Sequence, residues 1–185
     1  MGYIPYVIGS DLADKKSVIL EAMNRYHQNT CIRFMERTTE YDYIYLAKVD
    51  GCSSYVGRIG GKQLLSLSDG CHNVGTIVHE LGHVVGFYHE HQRSDRDQYL
   101  EIYTQNIRIN YEGQFTKLGP NDNRLIVPFD FNSIMLYGPL AFSKDSISKT
   151  MGPKAQYSSE RMVEVNEKYG LSKLDITAIQ KLYQC

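Results

Sequence analysis

The segment His79-Glu80-Leu81-Gly82-His83-Val84-Val85-Gly86-Phe87-Tyr88-His89 places two histidines four residues apart, with a glutamate directly after the first. On a helix, positions i and i+4 share a face, so His79 and His83 project together and can hold one ion. Glu80 points elsewhere around the helix, away from direct ligation but within reach of a water on that ion. Two neutral imidazoles suit Zn2+, a borderline-soft cation. A catalytic zinc needs a third protein ligand and an open position. Gly86 tolerates positive φ, so the helix can stop there and the chain can swing back. That return brings His89 to the ion from another side. With 15 glycines and 6 histidines among 185 residues, requiring both at fixed positions cuts chance matches roughly 400-fold.

Outward from this segment, residues 74–85 read as the helix that carries it. Upstream, residues 11–29 show an amphipathic helix in which Leu12, Val18, Ile19, Ala22, Met23 and Tyr26 recur at helical spacing. Asp11 or Asp14 is available as its cap. Four β-branched or aromatic runs follow, at 31–35, 43–48, 54–58 and 63–67, broken by Gly51, Gly57, Gly60 and Gly61. Beyond Gly86 the pattern is irregular, with a turn at Gly119-Pro120-Asn121-Asp122. Ser172-x-x-Asp175 reads as a capping box opening a last helix through Ile176, Ile179 and Leu182. The layout predicts one α+β domain over 1–185. Residues 1–90 form its sheet-and-helix half with the zinc helix, and 91–185 a less regular half.

Hydrophobic residues make up 42% of the chain and charged residues 22%, which excludes the disordered and membrane-embedded classes. Lys plus Arg total 20 against 21 Asp plus Glu, so no basic excess advertises a nucleic acid or an anionic membrane. The opening Met1-Gly2-Tyr3-Ile4-Pro5-Tyr6 has no signal-peptide character, and Tyr6 stands where a myristoylation site wants Ser or Thr. Cys31, Cys52, Cys71 and Cys185 are even in number and form no CxxC pair. Two disulfides are favoured over free thiols, with three pairings open. His91 is expected to face away from the ion as a surface or supporting residue. His27 and His72 read as surface histidines.

Extended, the motif runs His79-Glu80-x-x-His83-x-x-Gly86-x-x-His89-Glu90-x-x-Arg93-x-Asp95-Arg96-Asp97. This resembles the zinc signature of the astacin family of metzincin endopeptidases. Ser133-Ile134-Met135-Leu136-Tyr137 is similar to the Met-turn of that group. The likeness runs through Ile4-Pro5-Tyr6, Cys31-Ile32-Arg33-Phe34, Gly51 to Gly57 and Leu171 to Cys185. It implies a metzincin-like zincin fold with a cleft between the two halves, and pairing of Cys31 with Cys185 and Cys52 with Cys71. It implies one catalytic Zn2+ on His79, His83, His89 and, at rest, Tyr137. Met135 would then form an apolar floor beneath the imidazoles.

By the same resemblance the chain is a secreted zinc endopeptidase, made as a zymogen, acting on protein or peptide substrates as a monomer. Glu80 is the expected general base and Tyr137 the donor to the tetrahedral oxyanion. Lys168 falls where relatives often carry a basic residue that selects the residue after the scissile bond, suggesting a preference for acidic residues there; a solvated surface lysine is the competing reading. Two departures stand out. Leu136 replaces a usual histidine and is expected to change packing rather than zinc binding. The stretch preceding Gly2, whose ammonium would pair with Glu90, is missing, so Glu90 is expected to lack a buried partner.

Overall fold

The computed structural model describes residues 2–185. A five-stranded sheet has the order β2-β1-β3-β5-β4, formed by β1 (Gly2–Ile8), β2 (Ile32–Glu36), β3 (Tyr43–Ala47), β4 (Cys52–Ser54) and β5 (Lys62–Leu67). The first four in that order run parallel, and β4 closes one edge antiparallel to β5. Helices α1 (Lys16–Asn29) and α2 (Val74–Val85) pack on each other and against the sheet. The Tyr26 hydroxyl donates to the Val78 carbonyl at 2.7 Å and joins the two helices directly.

Strand β1 has no alternating pattern, and Pro5 argues against a central strand. The structure accommodates it because the ladder to β3 begins only at Tyr6, past the proline. The expected 11–29 helix is divided: Ser10–Lys15 is a 3-10 turn, and the α-helix starts at Lys16. Neither candidate aspartate caps it. Asp11 instead accepts from the Lys48 amide at 2.7 Å, tying the turn to the end of β3. The strand expected at 54–58 lies earlier, at Cys52–Ser54, because Gly57 takes φ +71° and turns the chain. Helix α3 (Lys173–Tyr183) begins with the expected capping box: Asp175 N donates to Ser172 Oγ, and Ser172 N to Asp175 Oδ2.

The apolar residues fall into two clusters. The larger lies between the sheet and helices α1 and α2, centred on Leu12, Ile19, Leu46, Leu65, Ile77 and Leu81, and takes in Ile134, Met135 and Ile179. The smaller gathers Leu100, Ile107, Phe115, Phe129, Leu136 and Met151 from the irregular half, where β6 (Leu100–Ile102) pairs with β7 (Met151–Pro153). Cys31 joins Cys185 and Cys52 joins Cys71, and no described cysteine is free. The first bond ties the chain end to the entry of β2, and the second ties edge strand β4 to the approach of α2. Leu136 sits fully buried in the smaller cluster, so this departure serves as apolar filling.

Candidate metal and catalytic site

Helix α2 is capped by Asn73, whose side chain accepts from the Thr76 amide at 2.9 Å. It ends at Gly86, which takes φ +114°, a left-handed conformation that favours glycine. The Phe87 amide then bonds back to the Gly82 carbonyl at 3.1 Å, and the reversed chain delivers His89. His89 Nε2 lies 3.1 Å from His83 Nε2 and 3.2 Å from His79 Nε2.

The opposite ring nitrogens fix the tautomers. His79 Nδ1 donates to the Ile134 carbonyl at 2.8 Å and His83 Nδ1 to the Phe87 carbonyl at 2.8 Å. His89 Nδ1 faces the Gln92 side-chain oxygen at 3.0 Å. Each neutral ring therefore turns an unprotonated Nε2 toward the same point. Burial keeps all three neutral: it lowers His79 to about 3 and also depresses His83 and His89. Three lone pairs facing one another repel unless a cation sits among them, and imidazole nitrogens on buried rings suit Zn2+. The residues present fit the ion.

Glu80 is 4% exposed, and its Oε2 has no hydrogen-bond partner among the described residues. Burial raises its carboxyl to about 8. Burial alone thus favours the protonated form, and a cation held by the three histidines would draw the carboxyl back to its charged, proton-accepting state. The Tyr137 ring lies 4.3 Å from His89 and 4.5 Å from His91, centroid to centroid. Its phenol is pushed upward by burial and by Glu80, so it stays a protonated donor near neutral pH. A cavity of about 350 Å³ opens here between α2 and the 137–142 loop, with His79, Glu80, Tyr137 and Val165 on its walls.

Met135 is 3% exposed, and a Cβ placed on Gly82 would collide with its sulfur. The second glycine of the zinc helix thus makes room for the Met-turn. The Met135 carbonyl accepts from the Glu90 amide at 3.0 Å, linking the turn to the loop that carries His89.

Glu90, expected to lack a buried partner, has two. Its Oε1 accepts from Arg93 Nη1 at 3.1 Å and from the Asp130 amide at 2.9 Å. Burial still outweighs Arg93 and raises the carboxyl to about 7. Arg93 grips Asp95 through two bonds of 2.9 Å, and Arg96 donates to the carbonyls of His91 and Phe115. The Arg-x-Asp-Arg-Asp run is therefore scaffolding for the third-ligand loop.

Three further residues singled out in the sequence are His91, His27 and Lys168. His91, expected on the surface or in support of the site, has the supporting place: it is fully buried, its ring stacks on His89 and Tyr137, and Nε2 contacts the Gln114 carbonyl at 2.9 Å. His27 is half-buried and accepts from the Phe34 amide at 2.9 Å, joining α1 to β2. Lys168 is not a solvated surface lysine. Its Nζ donates to the Ser133 and Leu136 carbonyls at 2.7 and 2.6 Å, and burial lowers it to about 8.

Asp175 and Glu164 had no signal in the linear pattern beyond the capping box. Asp175 accepts from Ser133 Oγ at 2.7 Å and the Ile134 amide at 2.8 Å. Glu164 accepts from the Leu140 amide at 2.9 Å.

The family model for astacin, described as a peptidase family, matches residues 1–184. The chain belongs to the astacin family. An "Astacin-like metalloprotease toxin 1" from Loxosceles intermedia is 49% identical over 187 residues, covering 100% of this chain and 70% of that protein. "Zinc metalloproteinase nas-4" from Caenorhabditis elegans is 45% identical across 98% of this astacin and 58% of its own length. Among solved structures, the hatching-enzyme zinc-protease High choriolytic enzyme 1 from Oryzias latipes superposes with a TM-score of 0.89 at 41% identity. That match covers 99% of this chain and 90% of the other. Several relatives are much longer, and this astacin spans 44% of one nematode zinc metalloproteinase.

Proposed function

We propose that this astacin is a zinc endopeptidase that hydrolyses internal peptide bonds of proteins, with Glu80 as general base and Tyr137 as oxyanion donor. The observation that carries the reading is the convergence of three unprotonated Nε2 atoms beside the unpartnered Glu80 oxygen. Zinc held by His79, His83 and His89 would acidify a water and polarise the scissile carbonyl. Glu80, charged when a cation occupies the histidine site, takes the water's proton and returns it to the leaving amine. Tyr137, whose ring leans on His89, would be a further ligand to the ion at rest and would donate to the oxyanion during attack. Met135 on Gly82 supports the site from below.

Secretion as a monomeric zymogen of one catalytic unit belongs to the same proposal. Two disulfides with no free described cysteine support an oxidising compartment. Relatives named as a toxin and as a hatching enzyme support it further. A preference for acidic residues after the scissile bond would rest on the charge of Lys168 acting through space, since two of its donors are engaged. Profiling Lys168→Met on a peptide library decides this: the ratio of acidic to neutral cleavage falls if Lys168 selects, and an unchanged ratio removes it from the subsite.

The experiment for the main reading is cleavage of denatured casein by the purified chain, with chelator added and zinc restored. Activity is expected to vanish and return. Cleavage indifferent to chelation would contradict the reading.

A further inference from the structure

Tyr137 stands in a loop whose two ends are held by one short segment, Glu164 to Lys168. On one side, Lys168 Nζ donates to the Ser133 and Leu136 carbonyls at 2.7 and 2.6 Å, directly before Tyr137. On the other, Glu164 Oε1 accepts from the Leu140 amide at 2.9 Å, three residues after it. Gly138 lies against the same carboxylate so closely that a Cβ there would overlap it. Between the two side chains, Val165–Glu167 forms a single 3-10 turn closed by the bonds from Glu167 N to the Glu164 carbonyl and from Lys168 N to the Val165 carbonyl, so one short element carries both grips.

The segment is itself seated on the zinc helix. A Cβ on Gly75, in the first turn of α2, would overlap the main-chain carbonyls of Val165 and Lys168. The helix that presents His79 and Glu80 thus carries a backbone strap, and the strap holds the phenol-bearing loop by one cationic and one anionic side chain. Both grips are charge-assisted bonds to main chain, which are stronger and shorter than neutral ones. Neither side chain needs to touch a substrate to act in this way.

We propose that residues 164–168 form a clamp that sets the position of Tyr137 relative to His79 and Glu80, with Glu164 and Lys168 as its positioning residues. The proposal rests on the catalytic reading of Tyr137 above and adds the means by which that phenol is held. A donor aimed at developing charge works only when preorganised, and a displacement of about 1 Å can cost on the order of a hundredfold in rate. Losing one grip of two leaves the loop partly held, so a smaller loss is expected.

The test joins amide hydrogen exchange with kinetics on Lys168→Met and Glu164→Ala, each alone and with Tyr137→Phe. Exchange is measured on both zinc-loaded and metal-stripped protein, so it reports on the clamp whether or not the chain cleaves peptides. Exchange across 137–141 is expected to rise about tenfold or more in both variants, with α2 and the five-stranded sheet unchanged. kcat is expected to fall about tenfold with KM within about twofold, the mark of an interaction made in the transition state. With Tyr137→Phe as the background, the same substitutions should change kcat by less than about twofold. Lys168→Arg and Glu164→Gln, which keep a donor and an acceptor, should recover most of the rate. Unchanged exchange at 137–141, exchange rising throughout the chain, or full kcat losses persisting beside Tyr137→Phe would each overturn the clamp. A wild-type chain without peptidase activity would instead overturn the proposed function, and the exchange result would still decide the clamp.

Discussion

Two glycines of the zinc helix show what a residue-by-residue reading can miss. In the sequence, Gly75 and Gly82 look like weaknesses in a helix, each about 1 kcal/mol worse than alanine. In the structure both are contact sites, Gly75 against rigid main chain and Gly82 against the flexible end of Met135. That difference predicts an order. Gly75→Ala should destabilise by about 2–3 kcal/mol, because backbone must move. Gly82→Ala should cost about 1 kcal/mol or less, since the thioether can shift and helix propensity improves. Thermal unfolding of the two variants checks it, and equal losses would show that the neighbours' flexibility does not matter. Asp145 supplies a pH prediction. Its carboxylate accepts from the Ile147 and Ser148 amides and from two hydroxyls, which holds its pKa well below the usual value of 3.8. The folded state therefore binds this proton less readily than the unfolded chain. The stabilisation is present above about pH 4 and is lost as pH falls through the depressed folded value. Carboxyl titration by NMR should show Asp145 still ionised at about pH 3, and an ordinary midpoint near 3.8 would refute the loop geometry.

At the scale of elements, α2 and α3 were legible because their boundaries have local chemistry: Gly86 at one end, Ser172 and Asp175 at the other. Strands were less legible. β1 carries a proline and no alternation, and the glycine cluster near 57–61 shifted β4 by a few residues. The ligands His79, His83 and His89 lie within eleven residues and so form a readable word. Glu164, Lys168 and the second role of Asp175 act on residues 24 to 42 positions away, and no local pattern encodes such contacts. Asp175 caps α3 and also holds Ser133 and Ile134, while Ile134 in turn orients His79. Asp175→Ala should therefore cost about 3 kcal/mol, more than the ~1 kcal/mol of a lost cap, because buried donors at the Met-turn are left unpaired. It should also weaken zinc binding, whereas Ser172→Ala should lose the cap and the bond from Ser172 Oγ to Asp130 Oδ2 but leave zinc affinity unchanged. Chemical denaturation with competitive zinc titration compares them.

At the scale of the molecule, two cores and two disulfides hold the zinc helix between the sheet and the irregular half. The Cys31–Cys185 bond closes a separation of 154 residues and Cys52–Cys71 one of 19. In the chain-entropy picture the long closure restrains the unfolded state by about 5 kcal/mol and the short one by about 3. Replacing Cys31 and Cys185 with serine is expected to lower stability more than replacing Cys52 and Cys71. The reverse order would point to the local bond at the cleft rim as the main restraint. The half containing Lys168 was the harder one to read from sequence, since its apolar cluster and many 3-10 turns lack any period.

Glu80 doing chemistry at a zinc site built by three histidines is the central claim, and Glu80→Ala tests it most directly when metal content and peptide cleavage are measured on the same sample. One zinc per chain is expected in both wild type and variant, with cleavage in the variant lower by about a thousandfold or more. A variant that keeps its zinc and cleaves at close to the wild-type rate would contradict it.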